Sequence, residues 1–257
     1  MIKKSLSVIM SLLLLLSCGS GSSNHCIDAT LIAHGGGAID GYAVTNSLEA
    51  LHSARDNGYR YIELDLCFTS DSAIVAVHDW VEYNRAMGME AKGDTAPSFS
   101  FFMSHRLPSG HTPLSAEDIN AFFLSHDSLH LVTDKISSPD ILERFFPSLR
   151  QRMVVEAFCY EDYCELTNRG FEYVTYSCLA RDIAPATLKR ILFARLFNGE
   201  RIERLALHTS AFGYIYMQML LAVSDYEISL YTVNDCNDIP EDALQGLKFI
   251  YTDSLLP

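Results

Sequence analysis

Positive charge is scarce in this 257-residue chain: 19 Lys and Arg stand against 32 Asp and Glu, a formal net charge of −13. An acidic surface repels phosphate backbones, which excludes nucleic-acid binding as the main task. An anionic substrate would need local cations, or a bound metal, to approach it. Long hydrophobic runs are also missing. Apart from one N-terminal stretch, no segment nears the roughly 18 apolar residues of a membrane span. No C-x-x-C pair occurs, so there is no zinc-type cysteine pattern. What the chain does have is a hydrophobic fraction of 49%, which excludes disorder. Its length suits one globular domain, and α/β barrels of this size are common.

The N-terminal stretch reads as an export signal. Lys3 and Lys4 precede an apolar run from Leu6 to Leu16, which breaks at Ser17-Cys18-Gly19-Ser20. A basic start, a short apolar stretch and small residues at the exit fit a cleaved signal rather than a membrane helix. Leu15-Leu16-Ser17-Cys18 resembles a bacterial lipobox, in which the cysteine becomes the lipid-bearing first residue. On that reading residues 1–17 are removed, Cys18 is lipidated, and 18–29 form a flexible Ser/Gly tether. A plain secretory signal is the alternative. Loss of 1–17 removes two lysines and no acid, leaving a net charge of −15. The protein would then be exported and held at the cell envelope, with a membrane as partner through the lipid. Cys26, Cys67, Cys159, Cys164, Cys178 and Cys236 can oxidise there. Six cysteines allow 15 pairings, and buried unpaired cysteines are an equal alternative.

From residue 30 onward, strand-like and helix-like runs alternate. The β-type runs are 30–33, 59–66, 73–77, 129–133, 153–158, 173–177, 205–208, 227–233 and 249–251. Helical patterns lie between most of them. Asn46-Ser47-Leu48-Glu49 opens one that Gly58 stops; Ser115 caps 116–125, with Asp118 placed for a capping box. Ser138-Pro139 starts 140–146. Others span 161–169, 185–197, 212–223 and 240–246. Strand–helix repetition of this kind predicts a parallel sheet. Runs 59–66 and 73–77 are too close for a helical crossover and predict an antiparallel hairpin. Setting its return strand aside leaves eight strands, which fits a TIM-type (β/α)8 barrel of residues 30–257. Residues 80–114 read as a long loop insertion: a lid, a binding loop or a small insert.

Candidate chemistry sits at strand ends. His34-Gly35-Gly36-Gly37 follows the first strand, where glycine lets backbone approach a ligand closely. Glu63 and Asp65 share one strand face, about 7 Å apart along it. Two buried carboxylates need a cation, and Mg²⁺ or Ca²⁺ prefers such oxygens. His78-Asp79-Trp80 ends the return strand. With a turn centred on Asp71-Ser72, Asp65 should lie opposite His78 and Glu63 opposite Trp80, about 5 Å apart at Cβ. Asp134-Lys135 follows the next strand and offers a third carboxylate and a cation for phosphate. Glu156 and His208 end later strands, where barrel enzymes place ligand contacts. Trp80 and Tyr231 are candidates to line the pocket. Surface ion pairing or core packing is the plain alternative for each of these.

His34-Gly35, Asn46 in Thr45-Asn46-Ser47-Leu48-Glu49-Ala50, Glu63-x-Asp65, Thr69-x-Asp71 and His78-Asp79 occur in the order and spacing of one family. The chain resembles the glycerophosphodiester phosphodiesterases, within the phospholipase-C-like phosphodiesterase barrels. Tyr231-Thr232-Val233-Asn234-Asp235 and Tyr251-Thr252-Asp253 resemble the family's last two strands. The resemblance implies a metal-dependent phosphodiesterase acting on a small or lipid-derived phosphodiester. It implies His34 and His78 as general acid and base, and Glu63 and Asp65 as metal ligands. Lys135 and Gly35 would lie at the substrate. Three positions depart from the family pattern. Gly35 stands where Arg is usual. Thr133-Asp134-Lys135 replaces Glu-x-Lys, so Asp134 can be a third ligand only where the strand bends or ends. Asp71-Ser72 replaces an Asp-Gly turn. Phosphatidylinositol or a phosphosphingolipid is an alternative substrate. A phosphate- or sugar-binding lipoprotein without turnover is the alternative class.

Overall fold

The computed structural model describes residues 29–178, 202–213, 226–239 and 247–257, with Lys189, Ile191 and Leu220 between them. Nine strands carry the architecture: β1 (Thr30–Ala33), β2 (Tyr61–Phe68), β3 (Ile74–Ala76), β4 (His130–Asp134), β5 (Met153–Ala157), β6 (Tyr173–Cys178), β7 (Arg204–His208), β8 (Glu227–Tyr231) and β9 (Leu247–Thr252). All pairings but one are parallel, in the order β1-β9-β8-β7-β6-β5-β4-β2-β3, and β1 also pairs with β2. That last pairing closes an eight-stranded barrel. β3 is the exception, hydrogen-bonded antiparallel to the outer end of β2. The expected barrel and hairpin are both present.

The helices begin where local chemistry satisfies their first N–H groups. Ser47 Oγ accepts from Ala50 N to cap α1 (Leu48–Asp56), and Gly58 follows its end at φ +90°. Helices α2 (Trp80–Ala86) and α3 (Phe99–Ser104) are capped by Asp79 and Ser98. Ser115 and Asp118 make a full capping box on α4 (Ala116–Leu124). Pro139 occupies the first turn of α5 (Pro139–Phe145), and α6 (Tyr160–Asn168) follows β5. The expected helix at 240–246, and nearly all of those at 185–197 and 212–223, lie outside the described residues, as does Cys18.

Three hydrophobic clusters divide the work. The largest packs helices such as α1, α4 and α6 against the outer barrel wall. A second fills the barrel with Ile32, Val132, Val154, Phe249 and Tyr251. The third, built on Val75, Val77, Tyr83, Phe102 and Leu107, lies under residues 80–107. That segment is therefore a small helical insertion with its own core, one of the alternatives the sequence offered beside a lid or a binding loop. Strand pleating explains the first two clusters: alternate residues face the helices or the axis. Cys67, Cys159, Cys164 and Cys178 are outside any disulfide, whereas Cys236 is disulfide-bonded.

The hairpin register needs a correction. Leu66 pairs with Ala76, Cys67 with Val75 and Phe68 with Ile74, one residue away from the expected alignment. Thr69 N–H bonds to Ala73 O, so the turn centres on Asp71, with Ser72 at φ +65°. Val77 N–H, not His78, meets the backbone of Asp65, at 2.9 Å. A one-residue shift exchanges the faces of a strand. Since β3 stops at Ala76, His78 is not a cross-strand partner of Asp65, and Trp80 is not one of Glu63.

Candidate active site

The carboxylates gather because of strand register. Asp65 on β2 and Asp134 on β4 are Cα partners in the parallel ladder, so both face the axis at the same height. Glu63 lies two residues below Asp65 on that face. Oxygens of Glu63, Asp65 and Asp134 lie within 4.8 Å of one another. Glu63 and Asp65 are 2% and 1% exposed, a depth that isolated carboxylates rarely tolerate. β4 ends at Asp134 and Lys135 takes φ +68°. That bend satisfies the condition for Asp134 to join, and it also turns Lys135 inward. Lys135 Nζ lies 3.0 Å from Asp65 Oδ1 and 3.6 Å from Asp134 Oδ2.

Each carboxylate has its own environment. Burial raises the Asp65 carboxyl, but Lys135, His78 and the Asn46 amide outweigh it, so it titrates below the usual range. Glu63 is raised well above it by burial and by the charges of Asp65 and Asp134, against the lowering effect of the Gly35 N–H. Burial and Asp65 likewise raise Asp134. Glu156, inside the barrel on β5, is pushed up to about 7 by burial and then by the charge of Asp134. Gly35 N–H donates to Glu63 Oε2 at 2.6 Å, while Glu63 Oε1 is buried with no partner. Three converging carboxylates and an orphaned oxygen fit a hard divalent cation, with the Lys135 ammonium offsetting only part of their charge. Glu63, Asp65 and Asp134 are residues able to hold it.

His34 stands beside this cluster at the end of β1. Its Nδ1 is 2.8 Å from Asp253 Oδ1, and Asn234 Nδ2 donates to Asp253 Oδ2 at 2.7 Å. Burial lowers the basicity of His34, but the hydrogen bond and charge of Asp253, with those of Asp65 and Glu156, leave it raised. Such a bond fixes the tautomer and aims Nε2 away from Asp253. The turn after His34 is steric in origin. Gly35 has φ +53°, and a Cβ there would sit 2.5 Å from the Val44 Cα.

The structure thus brings together His34, Gly35, Glu63, Asp65, Asp134, Lys135 and Glu156. His78 stands on the rim with its side chain 48% exposed, 3.0 Å from Asp79 and 3.4 Å from Glu82. Trp80 lines a cavity together with Lys135, while its Nε1–H donates to Phe68 O at 3.1 Å and its ring packs on Tyr83 and Phe102. His208 and Tyr231 stack edge-on, 5.6 Å between centroids, on strands across the barrel from β2. His208 bonds to Ser210, and the Tyr231 hydroxyl donates to the Cys178 carbonyl.

Four residues of the site were not among the candidates: Asn46, Asn234, Tyr251 and Asp253. Asn46 is 1% exposed, donates to Asp65 Oδ2 at 2.8 Å and accepts from Asp65 N at 2.9 Å. Tyr251 hydrogen-bonds Glu156. All four do lie inside the quoted motifs, and a polar residue just past a barrel strand was the usable signal for Asp253.

Residues 35–160 match the model of the Glycerophosphoryl diester phosphodiesterase family. Several solved structures share the fold. A glycerophosphodiester phosphodiesterase from Thermotoga maritima is 19% identical, with a TM-score of 0.62 over 88% of this chain and 94% of the other. One from Parabacteroides distasonis is 19% identical, with a TM-score of 0.61 over 88% and 93%. An Oleispira antarctica phosphodiesterase in complex with the product sn-glycerol-3-phosphate is 18% identical, with a TM-score of 0.60 over 87% and 92%. Among curated proteins, no sequence matches significantly.

Proposed function

We propose that this chain, whose residues 35–160 belong to the glycerophosphoryl diester phosphodiesterase family, is a phosphoric diester hydrolase that uses a divalent cation to cleave a glycerophosphodiester. The observation that carries this reading is the convergence of Glu63, Asp65 and Asp134 within 4.8 Å, beside the His34–Asp253 pair. The Oleispira neighbour, solved with sn-glycerol-3-phosphate, supports the substrate class.

When bound, Mg²⁺ or Ca²⁺ would offset the charge of the carboxylates and of the phosphate. The protein's own groups do the rest. Lys135 supplies a second positive charge at the mouth. His34, its Nδ1–H held by Asp253, presents Nε2 to take a proton from the nucleophile, which is water or a neighbouring substrate hydroxyl. His78 on the rim donates a proton to the departing alkoxide. Positioned acid–base catalysis of this kind contributes about 10²–10⁴-fold. Glu156 and Tyr251 supply polar contacts deeper in the barrel, and His208 and Tyr231 face the site from the other side.

The same reading puts the enzyme at the cell envelope. Its support is the signal-like segment 1–17 and the Leu15-Leu16-Ser17-Cys18 sequence. Cys18→Ser should then release the protein from the membrane fraction.

The test of the activity is hydrolysis of glycerophosphodiesters by metal-stripped protein, with Mg²⁺ or Ca²⁺ then restored. Cation-dependent turnover that Glu63→Ala abolishes supports the reading. Cation binding without turnover of any diester would favour the non-catalytic binding protein instead. No cation binding would overturn the role given to the carboxylates.

A further inference from the structure

The cavity that Trp80 and Lys135 share measures about 530 Å³. That volume falls within the roughly 300–1,000 Å³ of small-molecule sites. Its place follows from the two paired strands that deliver Asp65 and Asp134. Leu66, Cys67 and Phe68 continue β2 beyond Asp65, and Lys135 and Ile136 follow Asp134 at the end of β4. The cavity therefore lies between the outer ends of β2 and β4. Lys135 belongs to both places: it lines the cavity, and its Nζ is 3.0 Å from Asp65 Oδ1. A group seated here is one side chain away from the carboxylate cluster.

The walls offer a guest mainly carbon. Leu66, Phe68, Trp80, Ile136 and Ile141 supply aliphatic and ring faces. The polar side chains around them are already engaged with one another or with backbone. Ser137 Oγ donates to Asp162 Oδ2, the Trp80 N–H to Phe68 O, and Cys67 Sγ to Val77 O at 3.3 Å. An apolar guest gains by releasing water from such faces, whereas a polar one would forfeit its own hydration. Exposure at the lip points the same way. Phe68 is 37% exposed, and Val81, the residue after Trp80, is 41% exposed. Exposed apolar surface continuous with a groove marks a binding site for an apolar group.

We infer that this cavity is a subsite for one hydrocarbon chain carried by the substrate, so that the enzyme takes glycerophosphodiesters bearing a single acyl chain on the glycerol. This rests on the phosphodiesterase reading above and adds no chemical step to it. The chain lies along Phe68, Trp80 and Ile141, with Lys135 at the inner end where the phosphate begins. Binding there is remote from the reacting atoms and raises kcat/KM with chain length.

The test uses substrates short enough to stay monomeric: glycerophosphocholine and its 1-acetyl, 1-butyryl and 1-hexanoyl esters, with the cation-loaded protein. A methylene moved fully from water into an apolar site multiplies affinity about fourfold. An open cleft covers only part of each methylene. We expect kcat/KM to rise about twofold per methylene, about sixteenfold from the acetyl to the hexanoyl ester. Phe68→Ser and Ile141→Thr should each cut that rise about threefold and leave the rate on glycerophosphocholine within about twofold, which also shows that they fold. Equal kcat/KM along the series, or a slope unmoved in both variants, would overturn the inference and leave the hydrolase reading intact. A flat series on monomers combined with activation by phosphatidylcholine vesicles would assign Phe68 and Val81 to a membrane contact, and would overturn it too. If the wild type hydrolyses none of the four diesters, their calorimetric affinities take the place of kcat/KM. A chain-length slope that Phe68→Ser flattens then keeps the subsite while the hydrolase reading fails. A flat series, or one that Phe68→Ser leaves unchanged, sinks the subsite as well.

Discussion

His34 and Asp253, 219 residues apart in sequence, meet at 2.8 Å at the mouth of the barrel. They stand at the ends of β1 and β9, which are paired strands. The carboxylate keeps His34 protonated to higher pH than an isolated imidazole. Asp253→Asn should remove that charge and lower the His34 pKa. A base works only when deprotonated, so the acidic limb of kcat/KM against pH should move to lower pH. The rate at the plateau should fall by roughly 10²–10⁴, the range expected for losing a positioned base. A pH–rate profile with an unmoved acidic limb would argue against the pairing.

Glu63 carries a buried, unpartnered oxygen and two close like charges. Removing its charge relieves repulsion in the metal-free protein. Glu63→Gln should therefore unfold no earlier than the wild type without metal. It should also lose the rise in Tm that Mg²⁺ or Ca²⁺ gives the wild type, since only a bound ion stabilises by mass action. Thermal denaturation with and without each ion checks both halves.

Glu156 titrates at about 7, well above its ordinary 4.5, because it is buried and near Asp134. It binds its proton more tightly folded than unfolded. Its stabilising contribution is complete below pH 4.5 and is lost as pH rises through about 7. Over that window the loss is on the order of 3 kcal/mol. Glu156→Gln, which keeps the hydrogen-bonding shape, should flatten this part of the stability curve. Urea denaturation of wild type and variant from pH 4.5 to 7.5 gives the difference directly.

Gly35 is held at φ +53°, with the Val44 backbone 2.5 Å from where a Cβ would lie. Gly35→Ala should cost about 2–4 kcal/mol and pull the Gly35 N–H away from Glu63. Gly35→Arg, which restores the residue usual in the family, should be no better tolerated, because the obstacle is backbone. Chemical denaturation of both variants tests this.

Asn46 bridges the backbone N–H and the carboxylate of Asp65. Asn46→Ala leaves the Asp65 N–H without a partner, leaves its carboxylate to Lys135 alone, and puts alanine at φ +52°. A loss of about 2–4 kcal/mol is expected. Cation affinity, measured by calorimetry, should fall with it, because Asp65 loses the contact that orients it.

Much of this was legible in the residues. Strand–helix alternation, the Ser115–Asp118 capping box and Pro139 at a helix start are local signals, and each appears where local chemistry requires it. Glu63-x-Asp65 put two carboxylates on one face because the strand period is two. The failures came where one residue more or less decides the outcome. Turn residues 69–73 set the hairpin register, and a turn centred on Asp71 moved Val77 into the place expected for His78. Asp134 was the reverse case. Alternation set it apart from Lys135; the β2–β4 register brings Asp134 to Asp65, and the end of β4 with the positive φ of Lys135 brings Lys135 there as well.

By itself, then, the sequence determined what depends on period and composition: an acidic chain, a parallel barrel with one hairpin, and a carboxylate pair facing the axis. Closure of the barrel decided the rest. It paired β1 with β9, which set Asp253 against His34, and aligned β2 with β4, which set Asp134 beside Asp65. Contacts across such separations follow from how strands register around a closed ring, and no local pattern encodes that register.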